Sequence, residues 1–484
     1  MRLRSLFVVL LVLLTAAHPA GAYSVLTHEQ LIDLTWDSAI VPLLKSRYPT
    51  LTPQQIEHAR AYAYGGCVIQ DIGYYPFGDK HFSDLTHYVR SGDFIVNLFR
   101  NAGNADELAF AVGALSHYIG DSIGHAQATN RSVPVEFPKL REKYGSNISY
   151  AYGEHQHVRT EFAFDIDQIA HHRFAPVNYL RSVGLEVPTR QLELAYYQTY
   201  GLKISFSATG HQRHNVGTYR WAVRRFIPRV AYATTLNHRH NEPDDLASDP
   251  DVQRLVREVA AIEQKNNWAQ FRKKPGLMTY SLAGLIRILP KFGPLQLTAV
   301  KGPTQQTELA YVHSLLASSD QLTYAVRRFT PPPATRPTAT EAAASDAASE
   351  PPPTRPLPAT PGAAQAVPRD SRDPRHPLTN RDLDTGVPVR PAGYPLTDQT
   401  YAYLLGKLTE TPTQPIPPGI KDDLLAYYAD LSLPFETKKH PDQWAAVQKQ
   451  LETLRGMPTS TAPDPFQTYD VPGGEVAWPG ETTP

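Results

Sequence analysis

Three residues with metal-binding side chains follow one another at four-residue intervals: His117, Asp121 and His125. Residues four apart lie on one face of an α-helix, so this spacing predicts a stripe of two imidazoles and a carboxylate. The surrounding residues are apolar or small, which predicts that the stripe faces the interior. The alternative to a bound metal is a buried polar network in which every group is hydrogen-bonded, since unpaired burial is costly.

His157 and Glu161 repeat the four-residue spacing in a second segment. Imidazole nitrogens and carboxylate oxygens are the usual zinc ligands where cysteine is scarce, and Cys67 is the only cysteine of the chain. One cysteine excludes an intramolecular disulfide and a multi-cysteine zinc site. The sequence therefore predicts two ligand-bearing helices around zinc. His155 competes with His157, which we prefer because only His157 has the helical spacing to Glu161.

These helices must belong to a larger fold. The 484 residues suggest two folded parts or one domain with extensions, and 41% hydrophobic residues are enough for a sizeable core. Lys+Arg and Asp+Glu both number 47, so the net charge does not indicate nucleic acid or an acidic substrate. Alternating strand patterns are scarce, whereas apolar residues recur at helical spacing in residues 106–126, 158–169, 218–236 and 252–271. We expect an all-α fold.

The N-terminal 22 residues resemble a signal peptide. Arg2 and Arg4 precede a short apolar stretch, and small residues lead up to Ala22. Cleavage after Ala22 would leave Tyr23 as the first residue of a secreted or periplasmic protein. The alternative is an uncleaved N-terminal anchor. No later stretch is long and apolar enough to predict a transmembrane helix.

Composition divides the rest of the chain. Residues 23–330 predict one helical domain, and residues 331–376 are rich in Pro, Ala and Thr, which is typical of a disordered linker. Residues 377–456 predict a small helical C-terminal region, which could stand alone or pack back on the first domain, and residues 457–484 predict a tail. The C-terminal helical patterns lie at residues 398–409, 420–431 and 443–455.

The order of these residues resembles the zinc-dependent phospholipase C family, which shares its fold with single-strand-specific zinc nucleases. That family has a mature N-terminal residue, then His, Asp and His, and then the two ligand helices. Tyr23, His28, Asp71 and His87 match the first four positions in order. Tyr23 replaces the usual Trp, and His125 follows the helix aspartate by four residues where relatives have six. His81 is an alternative to His87, which we prefer for its wider separation from Asp71.

The resemblance implies a multi-helix domain that holds up to three zinc ions. The first ion would be bound by Asp71, His87, His117 and Asp121. The second ion would be bound by His125, His157 and Glu161. The third ion would be bound by the main chain of Tyr23, by His28 and by the shared carboxylate of Asp121.

The same resemblance implies phosphodiester hydrolysis, with a zinc-bridging hydroxide as the nucleophile and Asp71 orienting or deprotonating the attacking water. The expected substrate is a phospholipid. A single-strand nuclease or nucleotidase-type phosphoesterase is the alternative, for which residues 219–226 are the one basic and aromatic candidate surface. Nuclease relatives commonly carry disulfides, which disfavours that alternative. A third possibility is a non-catalytic, metal-stabilised binding protein.

Residues 276–300 form an unusually apolar stretch around Arg287 and Lys291. Pro290 interrupts any helix there. This stretch could lie against a membrane surface, and the alternative is a buried helical hairpin. The sequence gives no indication of the oligomeric state.

Overall fold

A computed structural model describes residues 23–460 except 207–210, 238–243, 273–275, 289–301, 330–369, 372, 374 and 418. The predicted signal peptide, most of the predicted linker and the tail beyond residue 460 lie outside the described residues. In the described part of the chain, secondary structure is helical apart from two isolated β-bridges, Arg381 with Pro388 and Ile416 with Thr459. The predicted all-α fold class is confirmed.

The first half of the chain contains the ligand-bearing helices. Its α-helices are α1 Val25–Thr35, α2 Val41–Arg47, α3 Pro53–Gly66, α4 Lys80–Tyr88, α5 Ser91–Arg100, α6 Ala105–Gly124, α7 Asn130–Glu136, α8 Pro138–Tyr144, α9 Tyr150–Ala170, α10 Val177–Val183 and α11 Thr189–Tyr200. A π-helix, Trp36–Ile40, follows α1, a 3-10 helix, Ile69–Tyr74, follows α3, and a second π-helix, His125–Thr129, follows α6.

The second half adds helices that cover this core. They are α12 His211–Trp221, α13 Ile227–Asn237, α14 Pro250–Lys265, α15 Leu277–Ile288, α16 Gln305–Phe329, α17 Pro395–Thr409, α18 Ile420–Tyr427 and α19 Pro441–Gly456. A π-helix, Ala222–Phe226, joins α12 to α13. The predicted helix over 218–236 is therefore two α-helices joined by a π-turn. None of the helices described is both long and apolar enough to cross a bilayer.

Helix α6 is the central helix of the fold. The Asn104 side chain caps it by accepting a hydrogen bond from the Glu107 backbone amide at 2.9 Å, and two acidic residues in its first turn suit the helix dipole. From Leu108 to Gly124 its residues are all buried, and it packs against α1, α3, α5 and α16. A helix that is apolar on every side must be buried, so its His and Asp side chains lie inside the protein.

The C-terminal region packs back on the first domain and shares its hydrophobic core. The described residues that follow the gap at 330–369 begin at Asp370, and the predicted domain bounds stay predictions. His376 contacts Asp93 on α5 at 2.8 Å and Asp423 on α18 at 3.2 Å, and Arg90 forms a partly buried ion pair with Asp423. These contacts correspond to the second of the two arrangements that the sequence left open, in which this region packs on the first domain.

Helix α15 covers part of the apolar stretch that the sequence singled out. Leu282 and Ile286 are buried, whereas Leu277, Tyr280 and Ile288 are 79%, 54% and 77% exposed. Residues 289–301 lie outside the described part, so the predicted hairpin is only partly described. Contact of the exposed face with a membrane surface stays a prediction.

Candidate metal centre

Four side-chain atoms from three helices converge on one point in the core. The Nε2 atoms of His87 and His117 lie 3.3 Å apart. Asp121 Oδ2 lies 3.4 Å from the first and 3.1 Å from the second. Asp71 Oδ1 lies 3.4 Å and 3.9 Å from the same two nitrogens. Of these residues the structure buries His117 and Asp121 completely and Asp71 almost completely.

The hydrogen bonds of the two imidazoles orient their lone pairs toward this point. His87 Nδ1 lies 2.7 Å from the Ser83 carbonyl, and His117 Nδ1 lies 3.0 Å from the Cys67 carbonyl. A carbonyl oxygen only accepts, so each Nδ1 is a protonated donor, and in the neutral form that metal ligation requires, each ring has its lone pair on Nε2. The two Nε2 atoms and the two carboxylate oxygens are then all acceptors, and a cation between them satisfies all four.

The distances fit zinc. Zinc–nitrogen and zinc–oxygen bonds of about 2.0–2.1 Å place tetrahedral ligands about 3.3 Å from one another. The separations of 3.1–3.9 Å in this set are close to that edge length. Imidazole nitrogens held by carbonyls on the opposite ring atom are also the usual arrangement around a ligated metal. The residues therefore fit the zinc that their types predicted.

Asp121 extends the cluster toward the N-terminal helix. Its Oδ1 lies 3.2 Å from His28 Nε2, and the His28 ring stacks on the His117 ring at 4.2 Å. The α9 residue Asp165 fixes the start of α1 because its carboxylate accepts hydrogen bonds from the Leu26 amide and the Thr27 hydroxyl. The Asp121 carboxylate can thus bind two metal ions at once, one through each oxygen.

Tyr23 lies beside this position. Its ring meets the His28 ring edge-on at 5.8 Å, and its hydroxyl lies 2.7 Å from the Ser314 Oγ on α16. The ring passes so close to α6 that a Cβ at Gly124 would lie 2.6 Å from Tyr23 Cζ, so a glycine is required there. The side chain is therefore fixed near the cluster. Ligation by the Tyr23 main chain stays a prediction.

His125, His157 and Glu161 form a second cluster, with candidate ligand atoms within 4.8 Å of one another. His157 Nδ1 lies 2.9 Å from Glu161 Oε1, and the rings of the two histidines lie 5.0 Å apart. The His125 amide still donates to the Asp121 carbonyl, so His125 lies one α-helical turn beyond Asp121, where α6 ends and a π-turn begins, and contributes to this cluster rather than to the first. Within the described residues, neither ring nitrogen of His125 has a hydrogen-bond partner.

Burial governs the charge of the second cluster. Desolvation lowers the pKa of His157 to about 3, and desolvation together with His157 holds the pKa of His125 well below its ordinary value. Both imidazoles are therefore neutral, as metal ligation requires. Burial, followed by the field of Asp121, raises the pKa of Glu161 well above its ordinary value. Ionised Glu161 thus needs a nearby cation.

In the first cluster, burial and the charges of neighbouring residues shift the pKa values of His87 and Asp121 in opposite directions. Burial and the proximity of His117 lower the pKa of His28. For His87, burial would lower the pKa, but Asp121 and Asp71 more than offset it and raise the pKa well above its ordinary value. Burial alone would raise the pKa of Asp121, but the adjacent histidines hold it well below its usual range. Asp121 is therefore ionised.

Burial also distinguishes the competing histidines. His81 is 47% exposed and stacks on Tyr403 at 3.7 Å, and His155 is exposed on the outer face of α9. His87 and His157 lie inside the two clusters. The preferred member of each pair is thus the one that the structure brings to the other candidate ligands.

Two residues near the second cluster were missed in the sequence. Asn130 accepts a hydrogen bond from His157 Nε2 at 2.7 Å, and Asp384 Oδ1 lies 3.6 Å from His125 Nε2. Asn130 begins α7 directly after the π-turn that follows the ligand helix, and it could have been noticed there. Asp384 comes after the predicted linker, in a short acidic stretch from 380 to 386 that carries a turn-forming glycine.

Residues 27–205 match the family model described as zinc dependent phospholipase C. The chain carries a domain of this family. The match begins one residue before His28 and includes both clusters, whereas Tyr23 and Asp384 lie outside it. No curated protein and no solved structure matches the chain. The predicted family is confirmed, and it implies zinc and, at the level of the family, phosphodiester hydrolysis.

Proposed function

We propose that this protein is an exported zinc-dependent phosphodiester hydrolase that cleaves the phosphodiester of a phospholipid. The observation that carries the proposal is the convergence of two imidazole nitrogens and two carboxylate oxygens in the first cluster, because one metal ion can bind all four together. The second cluster and the Asp121–His28 pair lie next to it and provide candidate binding sites for further metal ions. We propose three zinc ions per chain, held as the resemblance implied.

Zinc, when bound, supplies Lewis acidity that stabilises developing charge on phosphate oxygens and makes a water a good nucleophile at neutral pH. The chain supplies rigid ligands in a buried setting, which strengthens every electrostatic interaction there. Asp121 holds two positions at a fixed separation through its two oxygens.

Asp71 is the candidate catalytic residue. At 6% exposure it is the most exposed of the nine predicted ligand residues, so its carboxylate is the one that water reaches most easily. We propose that one Asp71 oxygen binds metal while the carboxylate orients the attacking water and accepts its proton. Such positioned proton acceptors contribute roughly 10²–10⁴-fold to rates.

The structure disfavours a nucleic-acid surface over residues 219–226. The Tyr219 ring is buried and its hydroxyl donates to the Gly65 carbonyl at 2.7 Å. Arg224 is also buried and forms an ion pair with Glu29, and Arg220 pairs with Glu186. Tyr219 and Arg224 are thus used inside the protein, and partly exposed Arg220 is paired, so only part of the predicted stacking and phosphate-binding surface faces solvent.

Export is part of the proposal because signal cleavage after Ala22 would create the amino group of Tyr23. The buried position of Tyr23 beside His28 supports it. The free amine and the carbonyl of Tyr23 would then complete the ligand set of the zinc ion held by His28 and Asp121.

The substrate class can be tested with the chain that begins at Tyr23, loaded with zinc. It would be assayed on phosphatidylcholine and phosphatidylethanolamine vesicles and on single-stranded DNA, with a chelator-treated sample as the control. Release of a phosphorylated head group and diacylglycerol, abolished by the chelator, is expected. Cleavage of DNA alone would favour the nuclease, and hydrolysis of neither would favour the non-catalytic binding protein.

A further inference from the structure

Asp384 approaches the second cluster from the far end of the chain. Its side chain is 4% exposed, and its Oδ1 faces His125 Nε2 at 3.6 Å. That separation is too long for a hydrogen bond. It is close to the distance of about 3.3 Å between two ligands of one tetrahedral zinc ion. The pair is therefore placed as two ligands are, rather than as a hydrogen-bonded pair.

The carboxylate is held in this orientation by two tyrosines. The hydroxyls of Tyr394 and Tyr88 donate to Asp384 Oδ2 at 2.7 Å and 3.0 Å. Both bonds use the oxygen that points away from His125. Tyr88 lies on α4 directly after His87, so the carboxylate is anchored to a ligand-bearing helix as well as to its own segment.

The backbone around Asp384 is fixed on the ligand-bearing elements too. The Asp384 carbonyl accepts a hydrogen bond from Asn130 Nδ2 at 2.8 Å, and the same amide accepts from His157. The Leu383 amide donates to the His87 carbonyl at 3.1 Å. Gly386 has a φ of 73°, and a Cβ there would lie 2.1 Å from the Ser122 carbonyl of α6, so only glycine lets the turn sit this close.

We propose that Asp384 is an additional ligand of the ion held by His125, His157 and Glu161, so that the C-terminal segment completes the metal centre. The inference rests on the proposed zinc-dependent function. It extends the ligand set beyond residues 27–205, the part that matches the family. It also explains why a segment from beyond the linker is packed so closely around His87, Ser122 and Asn130.

The test uses the full chain from Tyr23 and measures zinc by competition with a chromophoric chelator and by elemental mass spectrometry. Asp384→Asn keeps the size and one acceptor oxygen but removes the charge. We expect one of the bound zinc ions to be weakened by more than about 100-fold, beyond what loss of a residue that only orients a ligand produces. The other ions should stay bound.

Asp382→Asn is the matched control. Asp382 lies in the same turn and is 2% exposed, but its oxygens accept from the Thr397 hydroxyl and the Thr385 amide. It should leave zinc binding unchanged. In His125→Ala, the further change Asp384→Asn should remove no additional ion, because both residues serve the same one.

The outcomes separate the two proposals. A wild-type chain that binds no zinc contradicts the proposed function and this inference together. A wild-type chain that binds zinc, with Asp384→Asn weakened by less than about 100-fold, overturns the ligand assignment alone. If the variant fails to fold, a crystal structure of the zinc-loaded wild type decides, since a ligand oxygen must lie about 2.0–2.2 Å from the ion.

Discussion

The two clusters share helix α6 but are supported in different ways. In the first, His87 and His117 donate to backbone carbonyls of the helical core, and all four converging side chains come from residues 71–121. In the second, His157 depends on the side chain of Asn130, and His125 faces a carboxylate that is 259 residues further along the chain. The first is set by the core, and the second also requires the C-terminal region to be packed in place.

This difference indicates which part of the metal centre should tolerate distant substitutions and which part should be disturbed by them. A side chain oriented by helix backbone keeps its position as long as the helix exists. A side chain that is oriented by a residue distant in sequence loses its position when the contact between the two breaks. We therefore expect changes in the C-terminal region to affect the second cluster selectively.

The largest effect is expected for Asp121→Asn. Its two oxygens face His28 on one side and His87 and His117 on the other, so two ions should be lost, whereas His125→Ala should remove one. Hydrolysis should fall by more than about 10³-fold, since several kcal/mol of charge stabilisation is removed. Elemental analysis checks the counts, and equal counts in the two variants would contradict the shared role of Asp121.

Asp71→Asn tests chemistry separately from binding. At saturating zinc most of the metal should remain, because His87, His117 and Asp121 still surround the ion, while the turnover of phospholipid falls about 10²–10⁴-fold with the loss of the proton acceptor. Asp84→Asn is the control, since Asp84 is buried nearby but pairs with Lys80. Full activity in Asp71→Asn would remove this residue from the chemistry.

Asn130→Ala tests the support of the second cluster. The amide links His157 to the Asp384 carbonyl, so its removal should weaken one zinc ion by about 10–100-fold and leave the first cluster unchanged. Chelator competition measures this effect. Asn97→Ala provides the comparison, because Asn97 is buried and donates to Thr199, away from the ligands. Equal weakening of all ions would mean that the two clusters are not supported separately.

The smallest effect is expected at the ion pairs that hold the C-terminal region. Burial would lower the pKa of His376, but Asp423 and Asp93 more than offset it and raise the pKa to about 10. The folded pKa exceeds the unfolded value, so this stabilisation is full below about pH 6.5 and is lost as pH rises through about 10. His376→Gln should lower the unfolding free energy by about 2 kcal/mol at pH 7, the size expected for charged hydrogen bonds of a partly buried group.

Thermal unfolding of the wild type and of His376→Gln at pH 7 and at pH 10.5 measures this difference. The gap between the two melting temperatures should be largest at pH 7 and should nearly close at pH 10.5. A gap that does not change with pH would show that the His376 charge does not hold the C-terminal region.

The sequence predicted what local spacing determines. The four-residue intervals placed His117 with Asp121 and His157 with Glu161, and the all-α fold followed from helical periodicity. Spacing alone could not choose between His81 and His87, because both lie on one helix and only packing decides which faces inward. The π-turn at His125 was also hidden, since its register depends on how α6 ends against α7 and α16.

Asp384 could not be predicted for a different reason. No periodicity relates it to the ligand helices, and a proline-rich stretch separates it from them. Its position depends on the tertiary contacts of His376, Leu383 and Gly386 with the core. Contacts between segments so distant in sequence leave no local pattern.

The zinc content of the chain that begins at Tyr23 tests the central claim most directly. After removal of loosely bound metal, elemental mass spectrometry should find three zinc ions per chain, and two when one extra residue precedes Tyr23. An unchanged count in the extended chain would exclude the amino-terminal ligand. A wild-type chain that retains no zinc would contradict the account, because the buried acceptors of His87, His117, Asp71 and Asp121 would then need another explanation.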